Sequence, residues 1–251
     1  MTYKVGVFDS GVGGLTVAKS IYQAKLFDEI IYFGDTARVP YGSKNESTII
    51  RYSLESLEFL KNFDINFLIT ACNSVSSCAL NELRKEAKFE VVGVIEAGIE
   101  AVKNSANRDD NILIIGTKTT INSQIYQNTL SNLGFKNIIA LPTPLFVPIV
   151  EEEAYEDRLI EATFELYFKN LNPENIDIVV LGCTHFPMLS HYLQNYFKNA
   201  KLIHSGDAIV ELLKQKYNFT PKKETKIQFL ASENPAHLKE VAKKWFYKGA
   251  K

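Results

Sequence analysis

Two stretches of this chain, Ile65-Asn-Phe-Leu-Ile-Thr-Ala-Cys72-Asn73-Ser74 and Ile176-Asp-Ile-Val-Val-Leu-Gly-Cys183-Thr184-His185, align without a gap at one separation, since 176 − 65 and 183 − 72 both equal 111. Each is an apolar run, a small residue, a cysteine and two polar residues able to hydrogen-bond a ligand. An apolar run of this length between polar residues suits a strand buried on both faces, as in a parallel sheet. The cysteine then falls just past the strand's carboxyl end, where open α/β sheets place their ligands. Two such thiols, one per copy, point to a site of pseudo-twofold symmetry.

The rest of the chain extends the repeat. A strand from Lys4 to Phe8 ends in Asp9-Ser10-Gly11-Val12-Gly13-Gly14-Leu15, and a helix runs on to about Ala24. The glycines of this turn expose backbone N–H groups at a helix start, which favours an anion. The spacing matches neither common nucleotide fingerprint, so a carboxylate is expected rather than a pyrophosphate. Strand Glu29–Phe33 leads into Gly34-Asp35-Thr36-Ala37-Arg38-Val39-Pro40-Tyr41-Gly42, which reads as an ordered binding loop. Helices over about 45–62 and 74–87 flank the first cysteine strand, and a strand over 90–95 ends in Glu96-Ala97-Gly98. Strand Ile112–Ile115, ending in Gly116-Thr117-Lys118-Thr119-Thr120, matches the first strand at an offset of 117 − 9 = 108, and Asn137–Leu141 matches the second at 138 − 30 = 108. A helical segment over 152–171, the second cysteine strand and a short strand Lys201–His204 complete the second copy. Order, spacing and terminal cysteines together indicate duplication.

A helix over 207–216, a strand Lys226–Ala231 and a helix with Asn234 as N-cap and Pro235 at N1 exceed the repeat. The simplest arrangement returns this tail to the first unit. The expected fold is therefore α/β: two similar parallel-sheet domains, residues 1–95 plus 207–251 and the inserted residues 96–206, with the site in the cleft between them.

Bulk properties narrow the function. A net charge of −1 gives no electrostatic case for nucleic acid or an anionic membrane. No apolar stretch approaches the ~20 residues of a membrane span. The N-terminus goes directly into a strand, so no signal peptide is expected and the cytoplasm is the default location. Three cysteines fit reduced thiols better than a disulfide framework.

Cys72 and Cys183, facing each other across a cleft, would present a base on one side of a bound carbon acid and an acid on the other. One thiolate removes the α-proton and the opposing thiol reprotonates the planar carbanion from the far side, inverting the centre. An ordinary thiol titrates near ~8.5, so each sulfur needs a helper. Asp9 beside Cys72 and His185 beside Cys183 are the candidates. Ser10, Asn73, Ser74, Thr117, Thr119, Thr120 and Thr184 are the candidate partners of the amino and carboxylate groups. Cys78 has no counterpart and reads as a small buried residue, while His191, His204 and His237 read as structural or exposed. Cys72, Cys183 and His185 as zinc ligands are the weaker reading, because no compact spacing such as Cys-x-x-Cys occurs. A non-catalytic amino-acid-binding module has no need of two opposed thiols, and a pyridoxal phosphate enzyme is the remaining alternative.

At these residues the chain resembles the glutamate racemases of the aspartate/glutamate racemase superfamily. The resemblance rests on Phe8-Asp9-Ser10-Gly11-Val12-Gly13-Gly14-Leu15, on the segment from Gly34 to Gly42, on Ala71-Cys72-Asn73-Ser74 and on Gly182-Cys183-Thr184-His185-Phe186-Pro187. It implies a cofactor-independent, two-base conversion of L-glutamate to D-glutamate for bacterial peptidoglycan, with glutamate as the small-molecule partner and a homodimer as the common state. It implies that Cys72 takes the proton of D-glutamate and Cys183 that of L-glutamate. Asp9-Ser10, Pro40-Tyr41-Gly42, Asn73-Ser74 and Thr184-His185 match substrate-binding segments, Thr117, Thr119 and Thr120 a threonine-bearing loop, and Glu151 an acidic residue near the second cysteine. Ser74 stands where Thr is usual, keeping the hydroxyl, and Ala97 where Pro is usual after Glu96. Activation by a cell-wall nucleotide precursor, linked in some relatives to an N-terminal extension, is not expected. Aspartate racemase is the near alternative within the superfamily, differing by the room for one methylene.

Overall fold

The computed structural model describes residues 3–247; residues 1–2 and 248–251, the ends of the first expected domain, lie outside the described residues. In chain order the elements are β1 Lys4–Asp9, α1 Leu15–Ala24, β2 Glu29–Gly34, α2 Glu46–Lys61, β3 Phe67–Thr70, α3 Asn73–Cys78, α4 Leu80–Glu86, β4 Glu90–Gly93 and α5 Val94–Ser105. There follow β5 Asn111–Gly116, α6 Lys118–Asn122, α7 Ile125–Asn132, β6 Asn137–Pro142, α8 Phe146–Glu151, α9 Asp157–Phe168, β7 Ile178–Gly182, α10 Ser190–Tyr196 and β8 Lys201–His204. The tail comprises α11 Ser205–Lys216, β9 Lys226–Ala231 and α12 Pro235–Ala242.

The strands form two all-parallel sheets, ordered β4-β3-β1-β2-β9 and β6-β5-β7-β8. The second order is that of the repeated strands of the first in mirror listing, with β9 removed, so the repeat in sequence is a repeat in topology. The inner strands β1, β3, β5 and β7 are buried on both faces, as their continuous apolar runs require. β9 pairs along the whole length of β2, which places the tail strand on the first sheet. α11 packs against both α1 and α5, between the sheets. One buried cluster there takes in Val5, Ile30, Ile112 and Val180, so the two sheets share a core.

The strand register adjusts the sequence alignment at one strand. Phe67 and Ile178 occupy the same place beside Val5 and Ile112 respectively, so the offset at the first strand is 112 − 5 = 107. It is 138 − 30 = 108 at the second, 178 − 67 = 111 at the third and 201 − 90 = 111 at the fourth. Thr117 is therefore the counterpart of Ser10, and not of Asp9.

Three helical boundaries differ from the sequence reading. The helix over 74–87 breaks at Ala79 into α3 and α4. The strand over 90–95 stops at Gly93, where the Ser76 hydroxyl accepts the Ile95 N–H (3.3 Å) and opens α5 two residues early. The helix expected over 152–171 starts only at Asp157, as α9, and a separate helix, α8, ends just before the segment at Glu151; a turn in which Glu153 has φ +52° parts the two. Burial of Phe146, Ile149 and Val150 draws the first helix upstream, and Pro148 is tolerated because it lies in the opening turn.

Candidate active site

Cys72 follows β3 after Ala71 and Cys183 follows β7 directly, and each is buried with 5–6% exposure. Both line one cavity of about 170 Å³ at the carboxyl ends of the two sheets. Ser10, Pro40, Tyr41, Gly42, Asn73 and Ser74 line it from the first half, and Thr117, Thr184 and His185 from the second. The site is thus assembled from the ends of β1, β3, β5 and β7, whose parallel register brings residues distant in sequence to a common level.

The surroundings of the two sulfurs differ. Cys72 donates to the Ser10 hydroxyl (3.6 Å). Burial pushes its thiol up to about 12, with the nearby Asp9 carboxylate acting in the same direction, against smaller opposing hydrogen bonds from Val75 N–H and Ser10. Cys72 is accordingly a protonated thiol near neutral pH. Cys183 lies 3.7 Å from His185 Nδ1, and the opposite ring nitrogen, Nε2, lies 3.0 Å from Glu151 Oε1. Burial pulls His185 down, but the Cys183 and Glu151 contacts outweigh it and hold the imidazole up at about 10. A cationic ring in that place is the counter-ion for negative charge on the Cys183 sulfur.

Asp9 is fully buried behind the cavity. It accepts the Gly11 N–H (3.0 Å) and the Thr184 hydroxyl (3.3 Å), and burial raises its pKa against the opposing pull of His185. The anion expected in the glycine-rich turn is therefore the protein's own: Gly11 and Gly14 give their N–H groups to Asp9. The turn instead brings the two halves together. A Cβ at Gly13 would stand 2.4 Å from Thr184 Oγ1 and 2.6 Å from His185 Nδ1, so no larger residue fits that approach. Gly42 meets Thr117 in the same way, at 2.6 Å. Ser74 and Thr117 join hydroxyls across the cleft at 2.9 Å.

The loop from Gly34 to Gly42 owes its order to buried Asp35, which accepts from Arg38 Nε (2.6 Å) and from the Tyr41 hydroxyl. Burial and that bond push the Tyr41 phenol up, so it remains a donor.

Some expected residues stand elsewhere. Thr119 gives its hydroxyl to the Lys44 carbonyl (3.2 Å), and Thr120 bonds Thr117 (3.1 Å) while fully buried; neither lines the cavity. Both brace the Thr117 loop. Glu151 lies in an adjoining cavity and reaches the site only through His185. Cys78 is half-buried against Ser77, and His191 is exposed. Conversely, Val39, Ser43, Lys118, Pro144, Val147 and Pro148 line the cavity without having been singled out. Lys118 carried a signal: a cation beside Thr117 at a strand end. Val147 and Pro148 carried none, because their helix was expected further downstream. Among the described residues no three His, Cys, Asp or Glu side chains are grouped to hold a metal ion, and no helix is long and apolar enough to cross a membrane.

Comparison with known proteins bears on this geometry. The model of the family described as Asp/Glu/Hydantoin racemase matches residues 18–213. The chain is 56% identical over 245 residues to a glutamate racemase of a Nitratiruptor species, covering 96% of each. The crystal structure of glutamate racemase from Campylobacter jejuni subsp. jejuni is similar with a TM-score of 0.95 and 51% identity, over 99% of this chain and all of that one. A glutamate racemase of Francisella tularensis subsp. tularensis, solved in complex with D-glutamate, is similar with a TM-score of 0.85 and 30% identity, over 98% of this chain and 94% of that one.

Proposed function

The chain belongs to the Asp/Glu/hydantoin racemase family, and from that premise we propose that it interconverts L- and D-glutamate by proton transfer between Cys72 and Cys183. It is an amino-acid racemase, an isomerase. The observation that carries the mechanism is a single cavity lined by two buried thiols of unlike surroundings. In the L-to-D direction the Cys183 thiolate, backed by the His185 imidazolium, takes the α-proton. The Cys72 thiol then donates its own proton to the opposite face of the carbanion. The reverse direction exchanges the roles, so each turnover leaves the pair in the opposite protonation state. Both transfer groups are side chains of the chain itself, and the reaction as written calls on no cofactor. Ser10, Tyr41, Gly42, Ser74, Thr117 and Thr184 surround the substrate, while Asp9 orients Thr184 and Glu151 orients His185.

The product is D-glutamate for peptidoglycan, made in the cytoplasm. The chain divides into residues 1–95 with 207–251, supported by the pairing of β9 with β2, and residues 96–206. A homodimer is supported by exposed Leu159 and Leu166, two turns apart on α9.

The test incubates purified protein with L-glutamate in deuterated water. Appearance of D-glutamate carrying one α-deuterium is expected, because the reprotonating thiol equilibrates with solvent. Binding of glutamate with neither inversion nor deuterium uptake would reduce the chain to a binding module.

A further inference from the structure

The wall of the cavity beside Cys72 is held from the other half of the molecule. Asn73, 2% exposed, accepts from the Tyr126 hydroxyl (3.2 Å) through Oδ1 and donates to Ser205 Oγ (3.3 Å) through Nδ2. The Ser205 hydroxyl in turn donates to the Leu181 carbonyl (3.3 Å). Leu181 lies on β7, two residues before Cys183. A line of hydrogen bonds therefore runs from the residue next to one thiol to the strand that delivers the other.

Tyr126 is 1% exposed, and burial holds its phenol up, so the hydroxyl stays a donor. Burying a hydroxyl is costly unless it is bonded, and phenylalanine would fill the same space without that cost. The packing admits the oxygen only because residue 98 is glycine: a Cβ there would lie 2.6 Å from it. Neither Tyr126 nor Ser205 lines the cavity.

We propose that Tyr126 and Ser205 are positioning residues for racemisation: by holding both ends of the Asn73 carboxamide they set Cys72 against Cys183 across the substrate. Asn73 itself lines the cavity, and in this arrangement its carboxamide is also a strut, tied to the protein at both ends. The inference rests on the two-thiol reading above, and it adds residues that touch neither substrate nor sulfur.

Tyr126→Phe and Ser205→Ala keep nearly the native shape and release one end of the strut each. Displacement of reacting groups by about 1 Å costs on the order of 10²-fold. Each variant is accordingly expected to lose roughly 10-fold or more in kcat per folded molecule, with KM for glutamate changed far less. Because both act through one carboxamide, their effects should not add. In an Asn73→Ala background, Tyr126→Phe should change nothing further. A purely structural role for the phenol would lower the unfolding midpoint and leave kcat per folded molecule at the wild-type value. That result, or full additivity in the Asn73→Ala background, overturns the proposal. If Tyr126→Phe does not fold, Ser205→Ala carries the same test. A wild-type protein that fails to racemise glutamate overturns the two-thiol reading and this inference together, whereas wild-type turnover in the variants overturns the inference alone.

Discussion

At the scale of single residues, the difference between the two sulfurs decides what each is poised to do. Cys72 is held protonated by burial and by Asp9, while Cys183 faces an imidazole held at about 10. Cys72→Ala and Cys183→Ala should each lower racemisation by at least the ~10²–10⁴-fold that one acid or base contributes, with far-UV circular dichroism unchanged. Wild-type turnover in either variant would end the two-base assignment. The His185 pair also makes a stability prediction. Its folded pKa lies above the ordinary 6.5, so its contribution is complete below about pH 6.5 and is lost as pH rises through about 10. Glu151→Gln removes one of the contacts that raise the ring. Its unfolding free energy should thus lie below that of the wild type near pH 7 and converge with it at alkaline pH; urea titrations across pH 6–10 read this directly, and a constant gap would refute it. Both cysteines, their flanking polar residues and His185 were legible in the sequence because repetition marked them. Glu151 was legible by resemblance alone, since nothing in its local pattern says that it reaches residue 185. Val147 and Pro148 escape such a reading because cavity lining depends on how the two halves close, which no local pattern records, whereas Lys118 had a local signal in its place beside Thr117.

At the scale of elements, what reads clearly in the sequence is burial, and what reads poorly is the point at which one element yields to the next. Among the described residues all nine strands fall where apolar runs place them, most sharply β1, β3, β5 and β7, because a strand covered on both faces tolerates almost no polar residue. The helix boundaries near 79, 93 and 152–156 escape because side-chain caps and single backbone turns set them: Ser76 opens α5, and Glu153 closes the turn after α8. The glycine-rich turn shows the same limit from the functional side. Its composition is right for an anion, but the anion is Asp9, and the glycines serve contact between β1 and the residues after β7. Thr16, in the first turn of α1, strengthens that contact by donating to the Thr184 carbonyl (2.9 Å). Gly13→Ala should therefore behave as an overpacked core site, costing about 1–3 kcal/mol in urea unfolding. Because the methyl displaces Thr184 and His185, kcat/KM should fall by more than the stability loss alone explains. Normal activity from a folded Gly13→Ala protein would show that this approach has slack that the 2.4 Å contact denies.

At the scale of the whole molecule, duplication and fusion pull in opposite directions. Two units with the same strand order could fold independently, each having its own parallel sheet. Three features join them: the tail strand β9 returns to the first sheet, α11 packs against both α1 and α5, and a single buried cluster spans the two sheets. Under the two-thiol proposal, with one thiol per half, such a join matters, since relative motion of the halves would be motion of the proposed acid against the proposed base. The join predicts one cooperative unfolding transition rather than two. Trp245, the only tryptophan, is buried at the C-terminal end, where its carbonyl accepts from Lys19 of α1; its fluorescence follows the first sheet's side of the molecule. Far-UV circular dichroism follows both sheets. The two signals should superimpose in a urea titration. Ile209→Ala, at a fully buried position on the shared helix α11, should move both midpoints together and cost about 2–5 kcal/mol. A dichroism transition that splits while the fluorescence does not, in either protein, would show that the halves melt separately and that α11 belongs to one of them alone.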